Sequence, residues 1–443
     1  MSKLTQLAAT DRTMKEGEII SAPLECVELM VPQRHVKRVK TALEERKMLN
    51  KKKGISSPFL KIVKESLEAL PPELLDSLGS SVNALVADFP SSYTIYQPML
   101  LLPRNNFTSL YGSSLSKALL LNSPDFQPFW AHVAARVGVT HIAINAGIPP
   151  QATSSDGFPK NLDGTSVENI LRSPVNLTPI YGFFGPLHSP QTLESPTTAD
   201  FDAALWVTHT QNGIPQTWAP LYTMFSRGNI REKTRILNLP SVTSSVAEAG
   251  GCTSVDLYAG IGYFVFPYLK AGVSKVLCWE LNPWSIEGLQ RGAKLNGWRT
   301  QVIERGHGPS EPPSESTDLI VFAHSNEFAL EDLAETKRVI SLPPVRHVNC
   351  GFLPSSNLSW RTAVGMIDKG LGGWIHAHEN VGMSDVEQRK AQVVTEIEGY
   401  VDAAGLRGEV KCEHVEKVKT YAPGVLHVVF DIWIGATSSL AAA

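Results

Sequence analysis

The sequence predicts an α/β protein: a parallel sheet with helices on both faces fills the C-terminal half, and a smaller α+β region precedes it. Three observations carry this. From residue 254 onward, strand-like apolar runs alternate with helical periodicity, the pattern of successive βα units. The first of these strands ends on Asp256 and enters a glycine-rich turn, Ala259-Gly260-Ile261-Gly262. The next strand, 275–279, ends on an acid, Glu280, 24 residues after Asp256.

At 443 residues the chain is long enough for two domains or slightly more. Its net charge of −3 excludes a global field that recruits polyanions, so nucleic acid would have to be met by a local patch. Cys26, Cys252, Cys278, Cys350 and Cys412 are scattered with no C-x-x-C pair. That dispersal predicts reduced thiols and argues against a zinc site or a disulfide framework. The first 20 residues lack an apolar leader core, and no run of 18 apolar residues occurs. A soluble, cytoplasmic protein without membrane contact is expected.

In chain order, 1–24 is expected to be a flexible N-terminus and 25–146 an α+β region opening with a strand at 26–32 and a helix at 33–50. Between Arg34 and Lys64, 11 Lys and Arg residues stand against Glu44 and Glu45, an excess of nine. The run Lys51, Lys52, Lys53 would suit phosphate contacts, which are electrostatic and blind to base sequence. A solvated helix face would read the same way. Amphipathic spacing predicts helices at 59–70 and 72–78, a strand at 96–102, a helix at 126–137 and a strand at 140–145. His132 and His141 lie in apolar surroundings and read as hydrogen-bonded core residues. Residues 147–200 contain eight prolines and no sustained period. This predicts a partly disordered surface insertion in which 179–187 packs locally.

A connecting segment, 201–250, begins with a strand at 203–210 and a hairpin-type turn at Gln211-Asn212-Gly213. Its cluster Ser226, Arg227, Asn229, Glu232, Lys233 and Arg235 would by itself fit a capped helix start. The domain 251–436 then alternates strands at 254–258, 275–279, 301–303, 319–323, 347–351 and 373–378 with helices after Gly262 and at 285–296, 360–368 and 385–403. Strands at 408–417 and 424–434 close it as an antiparallel edge. Residues 306–316 read as a loop and 437–443 as a flexible tail.

Gly260 and Gly262 let the backbone turn sharply and approach a ligand, which a side chain would prevent. An acid at the end of the next strand can accept hydrogen bonds from ribose hydroxyls in the crevice at the carboxyl ends of parallel strands. A nucleoside-containing cofactor is therefore expected. A dinucleotide fingerprint would need a third glycine where Val265 stands, which argues against a nicotinamide cofactor. The Asp256 turn with Glu280-Leu281-Asn282-Pro283 looks like the S-adenosyl-L-methionine site of class I methyltransferase-like enzymes. His376 and His378 alternate on one strand, but no third metal ligand is evident, so they read as core or pocket wall with no metal.

Six separated blocks, MFSRGNIREKTR from Met224, DLYAGIG from Asp256, ELNP from Glu280, HSNE from His324, NCGFLPSS from Asn349 and GGWIHAHEN from Gly372, together resemble the tRNA wybutosine-synthesizing protein 2 family. These are aminocarboxypropyltransferases related to the tRNA guanosine-37 N1-methyltransferases. The resemblance covers 205–434 well and 26–149 weakly, and the proline-rich insertion has no counterpart in it. It implies a class I methyltransferase-like Rossmann domain at the C-terminus and an N-terminal region that binds RNA. The implied activity transfers the 3-amino-3-carboxypropyl group of S-adenosyl-L-methionine to the tricyclic 4-demethylwyosine base at position 37 of tRNA(Phe), releasing 5′-methylthioadenosine. A monomer that binds no DNA is expected. No side-chain nucleophile is implied, because the transfer depends on orientation.

The resemblance also assigns residues. Ser226 and Lys233 fall on cofactor positions, with Lys233 expected to pair with the methionyl carboxylate. Asp256, Gly260, Gly262 and Glu280 form the nucleoside site. Ser325-Asn326 stands where the family has Asp-Asn, so a carboxylate is missing there. Asn349, Pro354 and Ser355 are expected to border the base pocket, and Lys51, Lys52 and Lys53 to hold tRNA. Guanosine-37 N1-methylation on the same scaffold, and a non-catalytic RNA-binding protein with a vestigial cofactor fold, are the other readings.

Overall fold

A computed structural model of the chain describes residues 57–103, 124–145, 177–305 and 312–437. The expected strand at 26–32, the helix at 33–50 and Lys51, Lys52 and Lys53 lie outside the described residues. Helices run over Pro58–Glu68, Pro72–Ser77 and Val82–Asp88, the last capped by the Ser81 side chain. The stretch 96–102, expected as one strand, divides into β1 (Thr94–Tyr96) and β2 (Met99–Pro103) around Gln97-Pro98. Pro98 has no N–H to give a ladder, while its carbonyl accepts from Thr140 N–H at 3.0 Å. With β3 (His141–Asn145) and β4 (Thr178–Tyr181) these make, among the described residues, a four-stranded sheet in chain order, its central β2–β3 pair parallel. The helix Gln127–Val137 covers it with buried Phe129, Trp130 and Val133. His132 pairs with the Ser66 hydroxyl at 2.8 Å.

The end of the proline-rich stretch is more regular than its composition suggests. Ile180 on β4 and Phe184 beyond it are buried, and short helices follow at Pro190–Glu194 and Thr198–Ala203. Each helix begins with a reciprocal capping box, Ser189 with Thr192 and Thr197 with Asp200. Because Ala203 ends a helix, the expected strand at 203–210 starts later, as β5 (Val207–Gln211), and pairs with β6 (Ile214–Trp218). Asn212 (φ 55°) and Gly213 (φ 71°) close this hairpin in the left-handed region, which two-residue hairpin turns require. A further helix, Ile230–Leu237, is followed by one at Pro240–Ala247.

The C-terminal sheet has eight strands: β7 (Thr253–Asp256), β8 (Lys275–Trp279), β9 (Thr300–Ile303), β10 (Leu319–Phe322), β11 (Val345–Cys350), β12 (Gly373–Gly382), β13 (Val410–Ala422) and β14 (Val425–Ile434). Their order is β13-β14-β12-β11-β7-β8-β10-β9. Neighbours from β12 to β9 are parallel, and β14 lies antiparallel between β12 and β13. Successive side chains on a strand point to opposite faces, and the core divides accordingly. Val255, Leu277, Trp279, Ile320 and Phe322 pack on the helices Ala329–Val339, Trp360–Met366 and Val386–Ala403. Val276, Cys278, Leu319 and Val321 pack on Val265–Ala271 and Pro283–Leu295. With both faces covered, β7, β8 and β10 are buried throughout, which explains the apolar runs 276–279 of β8 and 319–322 of β10, whereas β7 buries the polar Thr253, Ser254 and Asp256. The chain leaves β7 toward β8 and returns beyond it at β11, so the strand order reverses at β7, where a crevice opens at the carboxyl ends. Among the described residues, no helix is long and apolar enough to cross a membrane.

Candidate functional site

Beyond β7 the backbone needs glycine. Gly260 and Gly262 have φ of 54° and 88°, and a Cβ on either would lie 2.7 Å from a ring atom, of Tyr263 and Phe266 respectively. The turn is closed by Glu280 at the end of β8. Its Oε2 accepts the Gly260 N–H at 2.7 Å, and its Oε1 accepts those of Leu281 at 3.0 Å and Asn282 at 2.8 Å. Burial pushes the carboxyl up from its ordinary range, and the three amides oppose that shift.

Glu280 and Gly260 line a cavity of about 1020 Å³. Its wall continues through Leu257 and Tyr258, Ser325 and Asn326 after β10, and Gly351, Phe352 and Leu353 after β11. The rings of Tyr258 and Phe352 stack at 5.0 Å. The Asn326 amide donates to the Leu257 carbonyl at 2.7 Å, and the Ser325 hydroxyl caps the following turn through the Glu327 N–H. An acid that accepts hydroxyl donors, glycines at the closest approach and aromatic walls fit a nucleoside.

Ser226 also lines the cavity, pinned by Tyr263, whose hydroxyl donates to the Met224 carbonyl and accepts the Ser226 N–H at 3.2 Å. Lys233 does not line it. It is 2% exposed, its ammonium donates to Gln211 at 3.0 Å and Gln216 at 2.8 Å, and it lies over the rings of Phe225 and Tyr263. Burial, helped by the charge of Lys419, lowers it to about 7. The helix Ile230–Leu237 thus turns Lys233, the residue expected to pair with a cofactor carboxylate, inward behind the wall.

Asp256 and Gly262 likewise stand behind the surface. Asp256 is fully buried, and its Oδ1 accepts from Tyr258 N–H at 3.1 Å and the Asn349 amide at 3.2 Å. Burial raises it to about 7, and the charge of Glu280 adds to the shift. The Gly262 carbonyl accepts from the Gln216 amide at 3.2 Å. The expected base-pocket residues are also displaced from the wall. Asn349 is buried against Asp256, the Pro354 carbonyl accepts from Asn380 N–H, and Ser355 donates to Glu379 at 2.7 Å. Their neighbours Gly351, Phe352 and Leu353 face the cavity, because Glu379 anchors the turn behind them through Ser355 and the Ser356 N–H.

His376 and His378 are core residues. His376 bridges His347 at 3.1 Å and Asp431 at 2.7 Å, and His378 meets His427 at 3.0 Å. Among the described residues, no group of three His, Cys, Asp or Glu side chains could hold a metal ion. Several wall residues escape the sequence reading, among them Lys419 and Tyr421 on β13. These two lie at a shift in the β13 register, Thr420/Ala422, and nothing local indicates that this part of the strand meets a turn about 160 residues earlier in the chain.

Residues 207–332 match the family model described as the TRM5/TYW2 methyltransferase domain. The chain is 38% identical over 348 residues to tRNA wybutosine-synthesizing protein 2 of Schizosaccharomyces pombe, covering 77% of this chain and 72% of that protein. It is 32% identical over 380 residues to the protein of the same name from Saccharomyces cerevisiae, covering 79% and 75%. The crystal structure of Pyrococcus horikoshii TYW2 in complex with MeSAdo aligns with a TM-score of 0.50 at 17% identity, over 85% of this chain and 99% of that one, and so shares the fold. The matched domain carries both the glycine turn and Glu280, and the likeness extends over most of both yeast sequences, so the chain belongs to the tRNA wybutosine-synthesizing protein 2 family.

Proposed function

We propose that this chain binds S-adenosyl-L-methionine in the crevice at β7 and β8 and transfers its 3-amino-3-carboxypropyl group to the tricyclic 4-demethylwyosine base at position 37 of tRNA(Phe). Family membership supports the reaction, and the Glu280 carboxylate on the cavity wall, held by the Gly260 N–H, is the observation that carries the site. The sulfonium supplies a carbon activated for attack: a bond from a base carbon to that carbon forms, the carbon–sulfur bond breaks with its electron pair going to sulfur, 5′-methylthioadenosine leaves, and the proton displaced from the base carbon passes to solvent. Three carbons are activated alike, so the protein selects by orientation rather than by acid–base strength.

This chain's residues serve that selection. Glu280 accepts the ribose hydroxyls, Gly260 keeps the approach open, and Ser325 and Asn326 border the nucleoside. Ser226 lies on the wall where the amino-acid arm extends. Gly262, Asp256, Lys233 and Asn349 act from behind, by holding the turn in shape. The Pro354-Ser355 turn, tied to Glu379, sets Phe352 and Leu353 against the incoming base. The basic run Lys51, Lys52 and Lys53 grips the tRNA backbone, and the protein works as a cytoplasmic monomer.

The test incubates the protein with tRNA from a strain blocked at this step and with S-adenosylmethionine labelled in either the carboxyl or the methyl group. Carboxyl label entering the tRNA, with the mass of the 3-amino-3-carboxypropyl adduct, is the expected result. Label entering only from the methyl group would instead establish methylation.

A further inference from the structure

We infer that Lys419 is the cation that receives the amino-acid carboxylate of the nucleoside cofactor; this rests on the proposed function and assigns a residue to its orientation step. Among the described residues, four Asp, Glu, Lys or Arg side chains line the cavity: Glu280 and Glu327 are the acids, Arg227 and Lys419 the cations. Arg227 is exposed and donates to the Thr94 hydroxyl at 3.2 Å. Lys233 is spent on two buried amides behind the wall.

Lys419 differs from both. It is half-buried, its ammonium donates to the neutral Asn229 side chain at 3.0 Å, and among the described residues no carboxylate pairs with it. An ammonium has three N–H donors, and a partly desolvated charge without a counterion costs free energy unless an anion is supplied. Burial accordingly lowers its affinity for the proton.

The segment after Ser226 aims this ammonium. Asn229 holds it by one N–H, and Gly228 leaves it room, since a Cβ there would lie 2.9 Å from Nζ and 3.0 Å from Cδ. A nucleoside whose ribose is taken by Glu280 and whose carboxylate is taken by Lys419 is held at two points of opposite charge. Two fixed points on one flexible molecule restrict which carbon of the sulfonium faces the base.

A carboxylate and an RNA phosphate would both satisfy an ammonium, and calorimetry on the full chain separates them. S-adenosylmethionine carries the amino-acid arm, whereas 5′-methylthioadenosine has the same nucleoside and sulfur without it. Lys419→Met is expected to weaken S-adenosylmethionine binding about tenfold or more while leaving 5′-methylthioadenosine within about twofold, the size of a single charge-assisted hydrogen bond. Lys419→Arg should restore most of the difference. Unchanged S-adenosylmethionine affinity overturns the assignment, and with weakened tRNA binding it gives the ammonium to phosphate. Equal weakening of both nucleosides also overturns it, because the residue then only shapes the pocket. Wild-type protein that binds neither nucleoside overturns the proposed function as well, which keeps the two failures apart.

Discussion

The Gly260 N–H and the Glu280 carboxylate meet at 2.7 Å across the mouth of the crevice, and this hydrogen bond joins the turn after β7 to the end of β8. One acid thereby does two things: it fixes the backbone of the turn, and it stands on the cavity wall, where the proposed function gives it the ribose. The same residue is the most direct point at which to test the site.

Glu280→Ala should weaken S-adenosylmethionine and 5′-methylthioadenosine together, since both carry the ribose. A hydrogen bond to a charged group contributes about 1.5–3 kcal/mol, so a loss of roughly 10- to 100-fold is expected. Calorimetry giving wild-type affinity would remove Glu280 from the ribose role.

Asp256 makes stability depend on pH. Its carboxyl is raised in the fold to about 7 from the usual carboxylate range, so the folded state holds the proton more tightly than the unfolded chain. The contribution is complete below the unfolded value near pH 4 and is lost as pH rises through about 7. It amounts to about 4 kcal/mol at most. Asp256 Oδ2 has no hydrogen-bond partner, so Asp256→Asn can place its amide there and should flatten this dependence. Melting temperatures recorded from pH 4 to 8 check it, and parallel curves for both proteins would refute it.

Lys233→Met should destabilise the fold and lower nucleoside affinity without selectivity. It strands the Gln211 and Gln216 oxygens, both buried, at about 2 kcal/mol or more in all. A melting temperature lowered by a few degrees, with both nucleosides affected alike, is the expected outcome. A loss confined to S-adenosylmethionine would put Lys233 back on the carboxylate.

Replacing Lys51, Lys52 and Lys53 with Gln should weaken tRNA binding equally for cognate and unrelated tRNAs. The slope of log affinity against log salt should fall by about 0.7–0.9 for each phosphate that the variant no longer neutralises. Filter binding over a salt series measures it, and an unchanged slope takes this run out of the interface.

The parts of the fold that the sequence discloses are those whose signal is local. Strand β8 is predicted at 275–279 and observed at Lys275–Trp279, because burial on both faces leaves the apolar run 276–279 as a local signal. Asn212-Gly213 discloses its hairpin because few other residues accept positive φ twice in succession. The helices at Pro190–Glu194 and Thr198–Ala203 carry a comparable signal in Ser189 and Thr197, but proline content masks a capping pattern only a few residues long. The helices Pro240–Ala247 and Ala329–Val339 are not among the predicted elements, although both pack in the final domain. At the site, Glu280 and Gly260 are disclosed by a short spacing within one βαβ unit. Whether Lys233 points outward or inward depends on Gln211 and Gln216, and Lys419 reaches the wall only through sheet order, so neither position has a local signature.

The sheet order carries a consequence for biosynthesis. Strand β13 touches the rest of the sheet only through β14, which leaves the ribosome after it. A nascent chain that already contains the glycine turn, the acid of β8 and all six parallel strands therefore still lacks one side of its ligand chamber. Lys419 and Tyr421 take their places on that wall only once β14 has joined β13 to the sheet.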